Sequence, residues 1–184
     1  AHGKGGTDVQ LCNFRPSPGE DMRGGIVFEG RVHDLEQLVG GWPAEAPGGR
    51  LRVGPSTLHS LVDLVGALDR DALEADAGLP EREVVFGPPV DPVRSFRDFY
   101  GFEAHARAVR QRRGLPWAEE WSQFPAFYYS NPSNLVPHGA PLPAPTHGEW
   151  LDFELEVGCV LQRGCRDATP DEAEACIAGF AIIN

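Results

Sequence analysis

Apolar and polar positions follow a period of two in some stretches of the chain and of three to four in others, and the two rhythms mark out its elements. Ile26-Val27-Phe28 is a β-rich run, Glu29-Gly30 a turn signal, and Arg31-Val32-His33 resumes the extended pattern. This predicts a hairpin across Gly25 to Leu35. Gly40-Gly41-Trp42-Pro43 through Gly48-Gly49 is dense in breakers and reads as loop. Leu58, Leu61, Val62, Val65 and Leu68 recur at helical spacing. They predict a helix from Ser56 to Leu68 with Ser56 as its N-cap. A second short helix is expected from Asp71 to Ala77, ending at Gly78.

Val84-Val85-Phe86 predicts a short strand, and the following Gly-Pro-Pro-Val-Asp-Pro run to Pro92 a stiff linker. A boundary is expected at this shift, with a small N-terminal α+β domain over 9–83 and a second domain over 84–184. Ser95 to Arg113 reads as a helix or a pair of helical turns, Pro116 to Gln123 as irregular, and Phe124 to Ser130 as an aromatic strand. Asn131 to Gly148 is Pro-rich loop with one extended piece, Asn134 to Val136. From Trp150 to Leu161 the chain alternates. Leu151, Phe153, Leu155 and Val157 fall on one face of the predicted strand, and Asp152, Glu154 and Glu156 on the other. Thr169-Pro170-Asp171-Glu172 is a capping box with Pro at the first helical position. It predicts a helix to about Ala178 with Gly179 as C-cap, then a strand over Phe180 to Ile183.

Composition narrows the function classes. Hydrophobic residues make up 41% and charged residues 23% of the 184, which is enough apolar content for a folded core and argues against wholesale disorder. No apolar run approaches the ~20 residues of a membrane span. A net charge of −11 argues against nucleic acid and anionic membrane as partners. Cys12, Cys159, Cys165 and Cys176 form no C-x-x-C pair and match no zinc spacing, so they read as reduced thiols of a cytoplasmic protein. Gly3-Lys4-Gly5-Gly6 lacks the flanking strand and helix of a phosphate loop.

Two constellations could carry chemistry. Alternate residues of a strand lie about 6.5–7 Å apart, so on the face with Asp152, Glu154 and Glu156 two carboxylates at that spacing could converge on one hard cation. All-oxygen ligands suit Mg²⁺ or Ca²⁺ better than Zn²⁺. The competing reading is an exposed acidic edge strand that discourages aggregation. In Arg-Asp-Phe-Tyr-Gly-Phe-Glu-Ala-His-Ala (97–106), Asp98 and His105 are seven apart and would share a helix face as metal ligand and general base. The competing reading is a solvated face with a stray histidine. Arg107, Arg110, Arg112 and Arg113 form a basic run, either a solvated face or one arginine turned toward a substrate carboxylate. Of Tyr128 and Tyr129, one is expected to be buried and the other to face a site.

Taken in order, R-D-F-Y-G-F-E-A-H-A (97–106), F-P-A-F-Y-Y-S-N-P-S (124–133), G-A-P-L (139–142), W-L-D-F-E-L-E-V-G (150–158) and C-I-A-G-F-A-I-I-N (176–184) resemble the fumarylacetoacetate hydrolase family, fumarylacetoacetase-like branch. The resemblance covers about 84–184 well. Residues 9–83 are similar to the small N-terminal domain of some members. It implies an α+β fold: a twisted mixed β-roll catalytic domain preceded by a small β-rich one. It implies one divalent cation, Mg²⁺ or Ca²⁺ with Mn²⁺ as a further option, on Asp98, Glu154 and Glu156. Asp152 opens the motif without being a usual ligand. His105 matches the catalytic histidine, Tyr100 and Tyr128 match substrate-contacting tyrosines, and one of Arg112 and Arg113 matches a substrate-binding arginine.

The implied activity is hydrolysis of a carbon–carbon bond in a 1,3-diketo acid of fumarylacetoacetate or acylpyruvate type, in a cytoplasmic homodimer. The cation would hold the enolate while His105 activates water. Same-family decarboxylation of oxaloacetate-like acids or isomerisation of hydroxydienoates uses the same machinery, and a non-catalytic fragment or interaction module is the alternative of another class. Ala108 stands where shorter members place a glutamate three residues after the histidine, so that dyad is not expected. The family pattern continues past a strand ending in Asn with a metal aspartate. The resemblance therefore implies that residues 1–184 are the N-terminal part of a longer enzyme.

Overall fold

The structure is a computed structural model that describes residues 9–40 and 50–184. Gly3-Lys4-Gly5-Gly6 and the part of the breaker-rich loop over 41–49 lie outside those residues. The described residues up to Pro92 together with Val136–Asn184 form one compact unit, and Val93–Leu135 form another.

The expected hairpin is present as β2 (Arg23–Phe28) and β3 (Arg31–Asp34), with Val27 opposite Val32 and Phe28 opposite Arg31. Glu29 and Gly30 both have positive φ, 48° and 75°, the pattern whose twist matches that of the flanking strands. β1 (Gln10–Arg15) pairs antiparallel with β2, and the sheet runs β4-β3-β2-β1-β5, where β4 is Leu79–Pro80 and β5 is Val85–Phe86. β1 leaves no alternating signature because Cys12, Asn13 and Phe14 are buried consecutively. Gly25 is required there: a Cβ would sit 2.7 Å from the Phe14 ring.

The core of this unit is Ile26, Phe28, Leu35, Leu51, Val53, Leu58, Leu61 and Leu73, with Cys12, Phe14 and Val32 forming a second cluster. α1 (Leu35–Leu38) is capped by Asp34, whose carboxylate accepts from the Glu36 N–H at 3.0 Å. α2 (Leu58–Ala67) buries Leu58 and Leu61, as its spacing predicts, but its N-cap position is Thr57 and not Ser56. The Thr57 hydroxyl turns back into the preceding bend and accepts from the Gly54 N–H at 3.0 Å, so no side chain caps the helix. α3 (Arg70–Ala75) starts one residue early because Asp69 accepts from the Asp71 N–H at 3.2 Å. Asn13 is fully buried and spans three segments. It donates to Val53 O (2.8 Å) and Pro88 O (3.0 Å), and accepts from Val53 N (2.9 Å).

β8 (Glu156–Leu161) and β9 (Ile177–Ile183) pair antiparallel, joined through α5 (Pro170–Glu174). The capping box is formed as predicted: the Glu172 carboxylate accepts from the Thr169 N–H at 2.8 Å, and Thr169 Oγ1 accepts from the Glu172 N–H at 3.4 Å. The helix ends at Glu174 and not near Ala178, because Ile177 already pairs with Leu161. Gly179 therefore lies inside β9, opposite Val160. Val160 and Ala178 pack against the larger core cluster.

In the other unit, the helical reading of Ser95 to Arg113 is corrected in its first half. Phe96–Phe99 is strand β6, and only Glu103–Arg112 is helical, as α4. Phe96–Phe99 is extended because it pairs with a distant strand, and Gly101 separates it from the helix. β6 pairs antiparallel with β7 (Phe127–Ser130). The extended piece expected at Asn134 to Val136 is absent, since Asn134 closes a short 3₁₀ turn begun at Pro132.

Candidate functional site

Asp98 lies on β6 directly opposite Tyr128 on β7. Asp98 and His105 are therefore not partners on one helix face. Directly opposed side chains of an antiparallel pair project to the same side of the sheet, so Asp98 and Tyr128 share one face. Arg97 and Phe99 share the other face with Tyr129 and Phe127. On that second face the Arg97 guanidinium lies 5.0 Å from the Tyr129 ring centre, and the Phe99 and Phe127 rings are 5.2 Å apart. Tyr128 and Tyr129 are both exposed, so the expectation that one would be buried does not hold. A two-stranded ribbon leaves both of its faces open here.

Tyr100 follows β6 directly and continues the pairing, its N–H donating to Ala126 O at 3.0 Å. Alternation puts its ring on the Asp98 side. His105 occupies the first turn of α4, and the Tyr100 and His105 rings meet edge to face, with centroids 5.7 Å apart and planes at 84°. Tyr100 is fixed at two further points. Its hydroxyl donates to Ala106 O at 3.3 Å, and its carbonyl accepts from Trp121 Nε1 at 2.9 Å. This contact of Trp121 is one that sequence reading missed; its signal is a tryptophan in a stretch with no periodicity.

The basic run on α4 divides by role. Arg107 pairs with Glu103 at 2.6 Å and lies 3.9 Å over the Trp117 ring, and Arg110 Nε donates to Pro116 O at 2.6 Å. Those two tie the helix to the segment that follows it. Arg112 and Arg113, at the helix end, are exposed and make no ion pair among the described residues.

The acidic motif lies in the other unit. The expectation of one strand from Trp150 is corrected: β8 begins at Glu156, so Asp152 and Glu154 precede it and do not share a strand face with Glu156. Glu156 is opposite Ile183, the last residue of β9, and no strand among the described residues pairs with 150–155. Without a ladder the alternation is not expressed, and Leu151, Phe153 and Leu155 are all exposed. The Glu154 N–H donates instead to Asn184 Oδ1 at 2.9 Å, and Asp152 accepts from the Phe153 N–H at 2.9 Å. Among the described residues no group of three His, Cys, Asp or Glu side chains is gathered to hold a metal ion.

A cavity of about 390 Å³ beside β3 contains none of the predicted site residues. Its arginine, Arg23, is already paired with Glu20 at 3.1 Å and Asp34 at 3.3 Å. Among the described residues no helix is long and apolar enough to cross a membrane.

Comparison with curated proteins and with solved structures gave no match. Residues 94–184 match the family model described as Fumarylacetoacetate (FAA) hydrolase C-terminal. Short helices interleaved with paired strands over that segment are consistent with such a domain, and the match points to an enzyme of the hydrolase, decarboxylase and isomerase superfamily. By this match residues 94–184 are similar to the fumarylacetoacetate hydrolase family.

Proposed function

We propose that the chain supplies catalytic residues of a divalent-cation-dependent hydrolase that cleaves a carbon–carbon bond in a 1,3-diketo acid of fumarylacetoacetate or acylpyruvate type. The observation that carries the reading is the Tyr100–His105 ring contact next to the Asp98–Tyr128 pair, all within the segment matched to the family. An exposed imidazole oriented by a packed aromatic ring is equipped to exchange protons with water.

Asp98, Glu154 and Glu156 offer only carboxylate oxygens, which fits a hard cation such as Mg²⁺ or Ca²⁺, and they are the residues that would hold it. When bound, such a cation supplies Lewis acidity to the enolate and carboxylate oxygens of the substrate. His105 takes the proton from the water that attacks the carbonyl next to the scissile bond. It returns that proton to the departing enolate carbon as the bond breaks. Tyr100 orients the imidazole, and Tyr128 contacts the substrate from the strand opposite Asp98. Arg112 or Arg113 offers a planar fork to the substrate carboxylate.

The test combines acylpyruvate turnover in the presence of Mg²⁺ with calorimetric Mg²⁺ titration, on the unsubstituted chain and on His105→Ala. The expected result is turnover to two acids in the first, and turnover lost with cation binding kept in the second. Unchanged turnover in His105→Ala overturns the base assignment. Carbon dioxide release in place of a second acid moves the activity to the family's decarboxylases.

A further inference from the structure

We infer that Trp121 is a positioning residue: its indole N–H fixes the peptide between Tyr100 and Gly101 and so sets the Tyr100 ring against the His105 imidazole. The inference rests on the reading of His105 as the base. The Tyr100 backbone is held from both sides by the segment that follows α4. Its N–H donates to Ala126 O at 3.0 Å, and its carbonyl accepts from Trp121 Nε1 at 2.9 Å. That carbonyl belongs to the peptide leading into Gly101, where a Cβ would meet nothing within 4 Å. A glycine in open space puts little steric restraint on this peptide, so the indole hydrogen bond supplies it. Rotation of the peptide would carry the Tyr100 ring away from its edge-to-face contact with His105. The bond from the Tyr100 hydroxyl to Ala106 O, at 3.3 Å, is long for an O–H···O bond and holds the ring less firmly.

Trp121 is itself tied to the helix that carries His105. Gly114, with φ 65°, turns the chain after α4, and the Leu115 N–H donates back to Arg110 O at 2.9 Å. Arg110 Nε donates to Pro116 O at 2.6 Å, and the Arg107 guanidinium lies 3.9 Å over the Trp117 ring. The Trp117 and Trp121 rings then meet at 5.6 Å, with Trp121 in a 3₁₀ turn over Glu119–Ser122. The strap runs from α4 back to Tyr100, so both partners of the ring–imidazole contact are fastened to one frame. Indole suits the place because it offers a large apolar body and a donor-only N–H to a carbonyl.

The experiment measures acylpyruvate turnover with Mg²⁺ and histidine-labelled NMR spectra of the full chain. The His105 signal is identified by its loss in His105→Ala. Trp121→Phe keeps an aromatic ring beside Trp117 and removes the donor. It is expected to lower kcat roughly two- to tenfold with KM unchanged, and to move the His105 signal while the β6 and β7 amide signals stay in place. Combined with Tyr100→Ala, it is expected to add nothing to the effect of Tyr100→Ala alone, because the ring that transmits the effect is gone. An unmoved His105 signal in Trp121→Phe, an effect that persists in full in the Tyr100→Ala background, or loss of the β6–β7 amide pattern overturns the inference. The His105 signal reads geometry without turnover. A chain that cleaves no acylpyruvate therefore defeats the proposed reaction, while the signal still decides the role of Trp121.

Discussion

The Tyr100 ring stands edge-on to the His105 imidazole, with centroids 5.7 Å apart and planes at 84°. The contact joins the end of a strand to the first turn of a helix, across the break made by Gly101. It gives an exposed histidine one defined neighbour, and that neighbour is itself fixed through Trp121 and Ala106.

Truncating the ring tests what this does. An aromatic pair is worth about 0.5–1.5 kcal/mol beyond its buried area. If that energy orients the imidazole in the transition state, Tyr100→Ala lowers kcat by roughly two- to tenfold. Tyr100→Phe keeps the ring edge and loses only the hydroxyl, so it separates orientation from any contact of the hydroxyl with substrate. The imidazole resonances of His105 are expected to move in the Ala variant and to stay near their original positions in the Phe variant. Unmoved resonances in Tyr100→Ala would refute the positioning role.

Asn13 is the structural counterpart. Its side chain makes three hydrogen bonds to the Val53 N–H, Val53 O and Pro88 O while fully buried. Asn13→Leu leaves the Val53 N–H and Pro88 O without a partner, while Val53 O keeps the Asp91 N–H at 2.8 Å. At about 1–3 kcal/mol for each group that water cannot reach, we expect a loss of at least about 2 kcal/mol in urea unfolding of this chain. A loss below about 1 kcal/mol would mean that water enters and satisfies the groups.

The sequence made local features legible and long-range pairing illegible. The β2–β3 hairpin was readable because Glu29-Gly30 is a turn signal with mechanical meaning, and the Thr169–Glu172 box because its four residues are self-contained. Ser95 to Phe99 was misread as helix because the strand depends on β7, about thirty residues away, whose register no local pattern encodes. The motif at 152–156 erred in the opposite direction. Its alternation is strong, but a strand also needs a partner, and no strand among the described residues pairs with 150–155. In the candidate site, Asp98, Tyr100, His105 and Tyr128 were nameable from motif order. The Asp98–Tyr128 register and the support from Trp121 were visible only in the fold.

Glu172 makes the N-terminus of α5 sensitive to acid. Its carboxylate is held below the usual range, first by the Thr169 N–H and then by the Thr169 hydroxyl. A carboxylate depressed in the folded state adds stability above its unfolded pKa, and that stability is lost as pH falls through the folded pKa. Amide protection at the start of α5, taken relative to the intrinsic exchange rate at each pH, is therefore expected to fall in a step on acidification through the carboxylate range. Glu172→Gln retains an acceptor for the Thr169 N–H but does not titrate, so its exchange should lack that step. The same step in both proteins would rule out Glu172 as its source.

Cys12 gives the opposite pH dependence. Burial in the sheet, followed by the charge of Glu81, pushes its thiol from 9.0 up to about 12, against a lowering hydrogen bond from the Gly25 backbone. The folded protein keeps the proton where the unfolded chain releases it, so the folded state binds more protons between those two values. Stability is intact below pH 9.0, falls as pH rises toward about 12, and is then flat for this group. At about pH 10.5 the loss from Cys12 alone is roughly 2 kcal/mol. Other groups titrate in the same range, so the quantity to measure is the difference between the unsubstituted chain and Cys12→Ala in urea unfolding at matched pH. That difference is expected to shift by the stated amount between about pH 8 and about pH 10.5, with the alanine variant gaining in relative stability. A difference that stays constant over this range would show that the Cys12 thiol ionises equally readily in the folded and unfolded chains.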